Sequence, residues 1–402
     1  MYRLLEGYRI VEAAAFVAGP SCGLHLAQMG AEVIRIDMIG GGPDYRRWPL
    51  APSGDSLYWE GLNKAKKSVA IDLRNPKGRE LALALATAPG EMAGLFVTNY
   101  PHDSFFSHEA LAERRKDIIS ARIMGWADGA PAVDYTVNAA VGVPEMTGHP
   151  DDPRPVNHVL PAWDLLGGAY AAFAICAATM RRQRTGEGAE LRIALSDLAS
   201  TSLGHLGNVA DVMLGGDRQP MGNTLFGAFG RDFLCADAVR LMVVAITRNQ
   251  WSALIEALEI TASIAELAER LSVDFAADEG ARFTHRELLF PIFEHAFAKS
   301  DSATWAERFD SARVTWSRYR TLADAVANDP RIVSGNPQFQ NAEHPSGLDY
   351  PAAGPPAVIG EEARAALAPA PRLGGHSDEV MAQVLGMSDG EIASLHDQGI
   401  IA

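Results

Sequence analysis

The stretch Val159–Ala178 carries a single charge, Asp164, among residues that are otherwise apolar or small, and the run ends only at Met180-Arg181-Arg182. An aspartate at such a place can cap a helix, because the first turn leaves backbone N–H groups free. The positive helix end also keeps the acid ionised, and an ionised aspartate is a nucleophile toward an activated carbonyl. Gly167-Gly168 follows one turn on and leaves room for close approach, while Pro161-Ala162-Trp163 makes a rigid, shielded entry. Asp134, in Val133-Asp134-Tyr135-Thr136, is a second acid ahead of a helical pattern. It reads as a cap or as an acid/base partner of Asp164, and spacing alone does not bring the two together.

The cations are unevenly spread. Arg35, Arg46, Arg47, Lys64, Lys66, Lys67 and Arg74 crowd one region of a chain whose net charge is −15. Such a cluster suits the ribose 3′-phosphate and diphosphate of a polyanionic small ligand, or else makes a solvated face. The overall acidity argues against a nucleic-acid partner. A dinucleotide fingerprint fails, since Gly19 and Gly23 with Pro20 between them are not G-x-G-x-x-G, although Asp37 stands where a ribose-binding acid would. Cys22, Cys176 and Cys235 are far apart and read as free, inert thiols. The eleven histidines lack metal-ligand spacing, so no metal site is expected.

The elements that must position these groups follow from periodicity. A strand at 8–12, a helix ending at Gly30 and a strand at 31–37 make a Rossmann-like βαβ unit. Buried strands at 68–73, 94–99, 118–123 and 191–195 alternate with helices, which predicts an α/β fold with a parallel sheet. Residues 1–200 read as a large Rossmann-like domain, and 201–330 as a smaller α+β domain with a strand pair at 231–236 and 239–246. The segment 331–402 opens with a Pro- and Gly-rich connection at 333–360 and ends in two short helices. Gly222–Gly230 offers a mobile lid or a plain connecting loop. Asp164 and the glycine pair interrupt the longest apolar run, so no membrane span is expected, and the N-terminal residues lack a signal core, which makes the cytoplasm the expected location.

Five motifs carry a resemblance: Ala18-Gly19-Pro20, Leu26 to Asp37, Gly61 to Leu73, Arg184-Thr185-Gly186-Glu187-Gly188, and Ala370 to Ser377. Their order resembles that of the family III CoA transferases over nearly the whole chain. The resemblance implies an interlaced homodimer, an acyl-CoA thioester and a small dicarboxylate as substrates, and no permanently bound cofactor. It places the acyl-carrying aspartate at Asp164 and the CoA-binding positions at Val17, Arg35, Lys66, Asn99 and Tyr100. Val133 stands where the racemase branch has a histidine, and Val17 where the oxalate-acting branch has a glutamine, so both activities are disfavoured. A closer resemblance within the family, carried by segments around Gly40–Pro49, Val133–Asn138, Asn157–Asp164 and Phe226–Phe233, implies a CoA transfer between the two carboxylates of one mesaconate. Transfer between separate dicarboxylates is the alternative. Arg46, Arg47 and Arg231 are the candidates to hold the idle carboxylate.

Overall fold

The computed structural model describes residues 1–402. The chain runs β1 (Arg9–Ala13), α1 (Ala18–Gln28), β2 (Glu32–Met38), α2 (Leu57–Leu62), β3 (Lys66–Ile71), α3 (Pro76–Ala86), β4 (Leu95–Thr98) and α4 (His108–Arg114). It continues through β5 (Ile119–Met124), α5 (Asp134–Ala140), α6 (Val143–Thr147), α7 (Ala162–Thr185), β6 (Ala189–Ala194), α8 (Leu195–His205) and α9 (Asn208–Met213). Strands β1 to β6 form one sheet in the order β3-β2-β1-β4-β5-β6, every pair parallel. That is the doubly wound arrangement, and the strand order reverses between β1 and β4. The strands are short apolar runs because both faces are covered by helices. One face buries Val11, Ile34, Val69 and Phe96, and the other Ile10, Val33, Val97 and Ala121.

Contacts divide the chain into two units. The first holds Met1–Val141, His158–Gly215 and Val333–Ala402, and the second Gly142–Asn157 and Gly216–Ile332. The second unit has a three-stranded antiparallel sheet of β7 (Phe229–Leu234), β8 (Arg240–Ala245) and β9 (Thr315–Arg318), so a third strand joins the pair read from sequence. Between β8 and β9 run α10 (Arg248–Ala257), α11 (Thr261–Leu271), α12 (Glu279–Thr284), α13 (Arg286–Phe297) and α14 (Ser302–Ala312), and α15 (Leu322–Asn328) follows. Its core is aromatic, with Phe229, Phe233, Trp251, Phe293, Phe297 and Phe309 in contact. Strand β7 begins at Phe229, which is buried, so the glycine-rich loop is confined to the residues before it.

The end of the chain belongs to the first unit. The connection at 333–360 is not featureless: it contains an antiparallel hairpin of β10 (Phe339–Glu343) and β11 (Asp349–Ala353). Polar strands and Pro351 hide it from pattern reading, and Glu60 on α2 fixes it by accepting from the Tyr350 hydroxyl (2.5 Å) and the Ser346 N–H (2.7 Å). Helices α16 (Ser377–Leu385) and α17 (Asp389–Asp397) then cover the β2–β3 edge, and Ile401 bridges to Ile71 on β3.

Helix α7 has the length and hydropathy of a membrane span, because its single acid lies at one end of the apolar stretch, but a packed core helix has the same properties. Its Gly167, Gly168, Ala171, Ala172 and Ile175 are buried, and its main partner is α1.

Candidate active site

Ligands of doubly wound sheets bind beyond the carboxyl ends of the strands where the order reverses. Here those ends are Ala13 on β1 and Thr98 on β4, and the Thr98 hydroxyl donates to the Ala13 carbonyl. The turn after β1 is held from across this crevice by Asn99, which donates to the Ala15 carbonyl (2.8 Å) and accepts from its N–H (3.2 Å). Phe16 takes a left-handed φ of 68°, a strained conformation for a bulky residue, and its N–H is fixed by Asp44 (3.2 Å). Val17 is buried at the start of α1. Tyr100 follows on the β4 side, half-buried against Phe105 and Phe106, its loop held by the Arg122 guanidinium on the Tyr100 and Pro101 carbonyls. Asn99 is thus tied to the turn that leads into Val17, and Tyr100 is the next residue along the chain.

Arg35 and Lys66 lie beneath the crevice rather than in it. Arg35 is 2% exposed and reaches Asp37 (2.7 Å), Asp44 (2.8 Å) and Glu12 (3.3 Å), with Asn63 as a fourth acceptor. Lys66 is equally buried and bonds to Glu12 (2.9 Å), Asn63 and the Pro20 carbonyl. Burial pushes the Lys66 ammonium down, opposed by Glu12. For Arg35 the pull of Asp37, Glu12 and Asp44 together outweighs burial and raises it. Lys67 is also paired, to Glu32 and Glu379, and Lys64 donates to the Gly61 carbonyl, its amine pushed down to about 8 by burial and by Lys66. The cation cluster is therefore in part an internal charge hub, not a uniformly basic face. Arg46, Arg47 and Arg74 are the exposed members.

Asp164 lies on α7 two residues after Ala162, the helix's first residue, yet it caps nothing. The N–H groups of Trp163 (2.6 Å) and Asp164 itself (3.1 Å) go to one oxygen of Asp134, buried at the start of α5. The other oxygen meets His158 Nε2 at 2.5 Å. Asp134 and Asp164 are thus neighbours, and the acid that caps α7 comes from another helix. The Asp164 carboxylate is near enough to Arg47 to feel its charge, and near enough to Tyr58 to act on that hydroxyl. The expectation that a helix start keeps Asp164 ionised does not hold. Burial, and then Asp134, raise it to about 7, only partly opposed by Arg47.

The glycine pair also has a different reason from the one read in the sequence. A Cβ on Gly168 would lie 1.8 Å from Ser21 Oγ and 2.7 Å from the Ala18 carbonyl, and one on Gly167 3.0 Å from Leu195. The close approach is that of α1 and α8, not of a ligand. Of the residues the sequence did not single out, Glu12 was visible as a charge in an apolar strand. Asp44, Tyr58 and His158 carried no signal of their own. Arg231, in the second unit, is paired with Glu294 (2.9 Å) and stacked on Phe290.

Comparison with known proteins fits this geometry. Residues 5–377 match the sequence profile of CoA-transferase family III. The chain is 46% identical to 2-methylfumaryl-CoA isomerase of Chloroflexus aurantiacus, over all of this chain and 98% of that protein. It is 28% identical to succinyl-CoA:mesaconate CoA-transferase of Haloarcula hispanica, over 82% and 83% of the two chains. Among solved structures, a CaiB/BaiF family protein from Brucella suis shares the fold with a TM-score of 0.76 at 24% identity, covering 94% of this chain and 99% of that one. A doubly wound sheet with its switch-point crevice and an uncapped aspartate, matched end to end by these relatives, makes the chain a member of CoA-transferase family III.

Proposed function

We propose that the protein moves CoA between the two carboxylates of a single mesaconate, converting 2-methylfumaryl-CoA to 3-methylfumaryl-CoA. The observation that carries this reading is the Asp164 carboxylate, relieved of helix capping by Asp134. The substrate follows from the full-length likeness to the Chloroflexus isomerase.

In the first step an Asp164 oxygen attacks the thioester carbonyl, the C–S bond breaks, and CoA leaves as thiolate, giving a mixed anhydride. The thiolate then attacks the aspartyl carbonyl and expels mesaconate, leaving an aspartyl-CoA thioester. The second carboxylate of the same mesaconate attacks that thioester, and the two steps run in reverse. No proton is gained or lost overall. Keeping the diacid bound makes the second transfer effectively unimolecular. CoA lies in the crevice against Val17, Asn99 and Tyr100, while Arg35 and Lys66 shape its floor from within. Asp134 and His158 hold the start of α7 and so the direction of Asp164.

Asp164→Ala removes the nucleophile, so transfer is lost while CoA still binds, read by product analysis and calorimetry. Substantial transfer by that variant would sink the mechanism. Mesaconyl-CoA as sole substrate must give the second thioester isomer; a requirement for a separate acceptor acid would favour intermolecular transfer instead.

We also propose a homodimer. Helix α9 buries none of its residues, and Leu206, Met213 and Leu214 are 78–89% exposed, with Phe173 and Met180 of α7 exposed as well. An apolar surface of this kind calls for a partner, and a second copy of the chain is the occupant the family fold implies. Sedimentation at micromolar concentration should show a dimer, and a monomer would refute it.

A further inference from the structure

We propose that Arg47 and Tyr58 form the receptor for the idle carboxylate of the dicarboxylyl-CoA, holding it opposite Asp164 so that the acid stays in place between the two transfers. This deepens the transferase reading above and rests on it.

Arg47 stands out among the cations of its region. Arg35, Lys66 and Lys67 are all ion-paired, whereas the Arg47 guanidinium meets aromatic faces, 5.7 Å from the Phe16 ring centroid and 5.5 Å from that of Tyr58. It lies near enough to Asp164 to favour its charged form. The Tyr58 hydroxyl is buried and has no hydrogen-bond partner, which is uncommon for a buried donor. Burial holds that hydroxyl protonated, up to about 12, so at neutral pH it has a proton to donate to a carboxylate. A planar fork of donors and a phenol thus lie within electrostatic reach of the candidate nucleophile, and neither is paired with a carboxylate. Arg46 has no such setting.

The chemistry needs such a receptor. While one carboxylate of mesaconate is esterified, the other is a full anion next to Asp134 and Asp164, and like charges repel it. When the aspartyl-CoA thioester forms, Asp164 loses its charge and the diacid becomes a dianion. Arg47 can then exchange one anion for the other without moving far. A carboxylate gripped by Arg47 and Tyr58 would remain close as its partner carboxylate turns toward Asp164.

The test compares Arg47→Gln, Arg47→Lys and Tyr58→Phe with wild type. Two readouts are used: conversion of mesaconyl-CoA, and acylation of Asp164 by the monocarboxylic crotonyl-CoA, trapped with hydroxylamine well above the Asp164 midpoint. Arg47→Gln should lose about 100-fold more on mesaconyl-CoA than on crotonyl-CoA, the worth of a charge-assisted hydrogen-bonded pair. Arg47→Lys should recover part of this, and Tyr58→Phe should show a preferential loss of about 10-fold. Labelled free mesaconate, excluded from the thioester pool by wild type, should enter it with Arg47→Gln. Equal losses on both thioesters, or no label uptake, would overturn the receptor and leave Arg47 acting on Asp164 alone. Failure of the underlying transferase reading is seen separately, in wild-type protein that forms no second isomer from mesaconyl-CoA, and it would overturn both.

Discussion

Asp134 and Asp164 are both acids at helix starts, and the sequence offers each of them the same two jobs. The structure divides the jobs. Asp134 takes the backbone N–H groups of α7, and Asp164 keeps a free carboxylate whose charge is disfavoured by burial and by Asp134. A nucleophile must be ionised, so the acylation rate should rise with pH through a midpoint near 7, measured as kcat/KM against pH. Removing the charge at Asp134 takes away a cause that raises Asp164. Asp134→Asn should therefore move that midpoint to lower pH, and a midpoint left in place would contradict the coupling. The same shift has a stability consequence of definite sign. The folded state holds a proton on Asp164 that the unfolded chain gives up near pH 4, so stability falls as pH rises from about 4 to about 7. Asp164→Asn should thus be more thermostable than wild type at pH 8, the gain shrinking toward acid pH in calorimetry. Asp164 itself was legible in the sequence because a lone charge interrupts an apolar run. Its environment was not, since Asp44, Tyr58 and His158 reach it from distant segments whose types are ordinary for loops and helix starts.

Among the elements, α7 and α1 form the contact on which the site depends. Gly168→Ala puts a methyl group into Ser21 and the Ala18 carbonyl, and should cost about 1–3 kcal/mol by denaturant unfolding. Activity should fall with it, because Asp164 is one turn away. Gly204, where an added Cβ meets nothing, is the control on α8. The main strands and long helices could be read from sequence, since apolar runs and 3.6-residue periods report burial directly. Elements that owe their existence to distant polar contacts could not. The β10–β11 hairpin is set by Glu60, and α5 and α6 are too short to show a period.

At the scale of the whole molecule, the family could be read from ordered motifs, two of which supply Arg35, Asp37 and Lys66 to the buried charge hub. What distinguishes one member from another lies at positions such as Arg47 and Tyr58, which no fold-level rule selects. The hub has a practical corollary for protein engineering. Asp44 is locked to Arg35 three residues before Arg47, and the same carboxylate fixes Phe16. The loop that would choose the acyl group is therefore fixed to the sheet through Asp44, while the Arg46, Arg47 and Trp48 side chains just beyond it are exposed. A library meant to alter acyl preference should randomise 46–48 and 58 while leaving Glu12, Arg35, Asp37, Asp44 and Lys66 untouched. Variation at the rim would then be screened on a scaffold that does not drift.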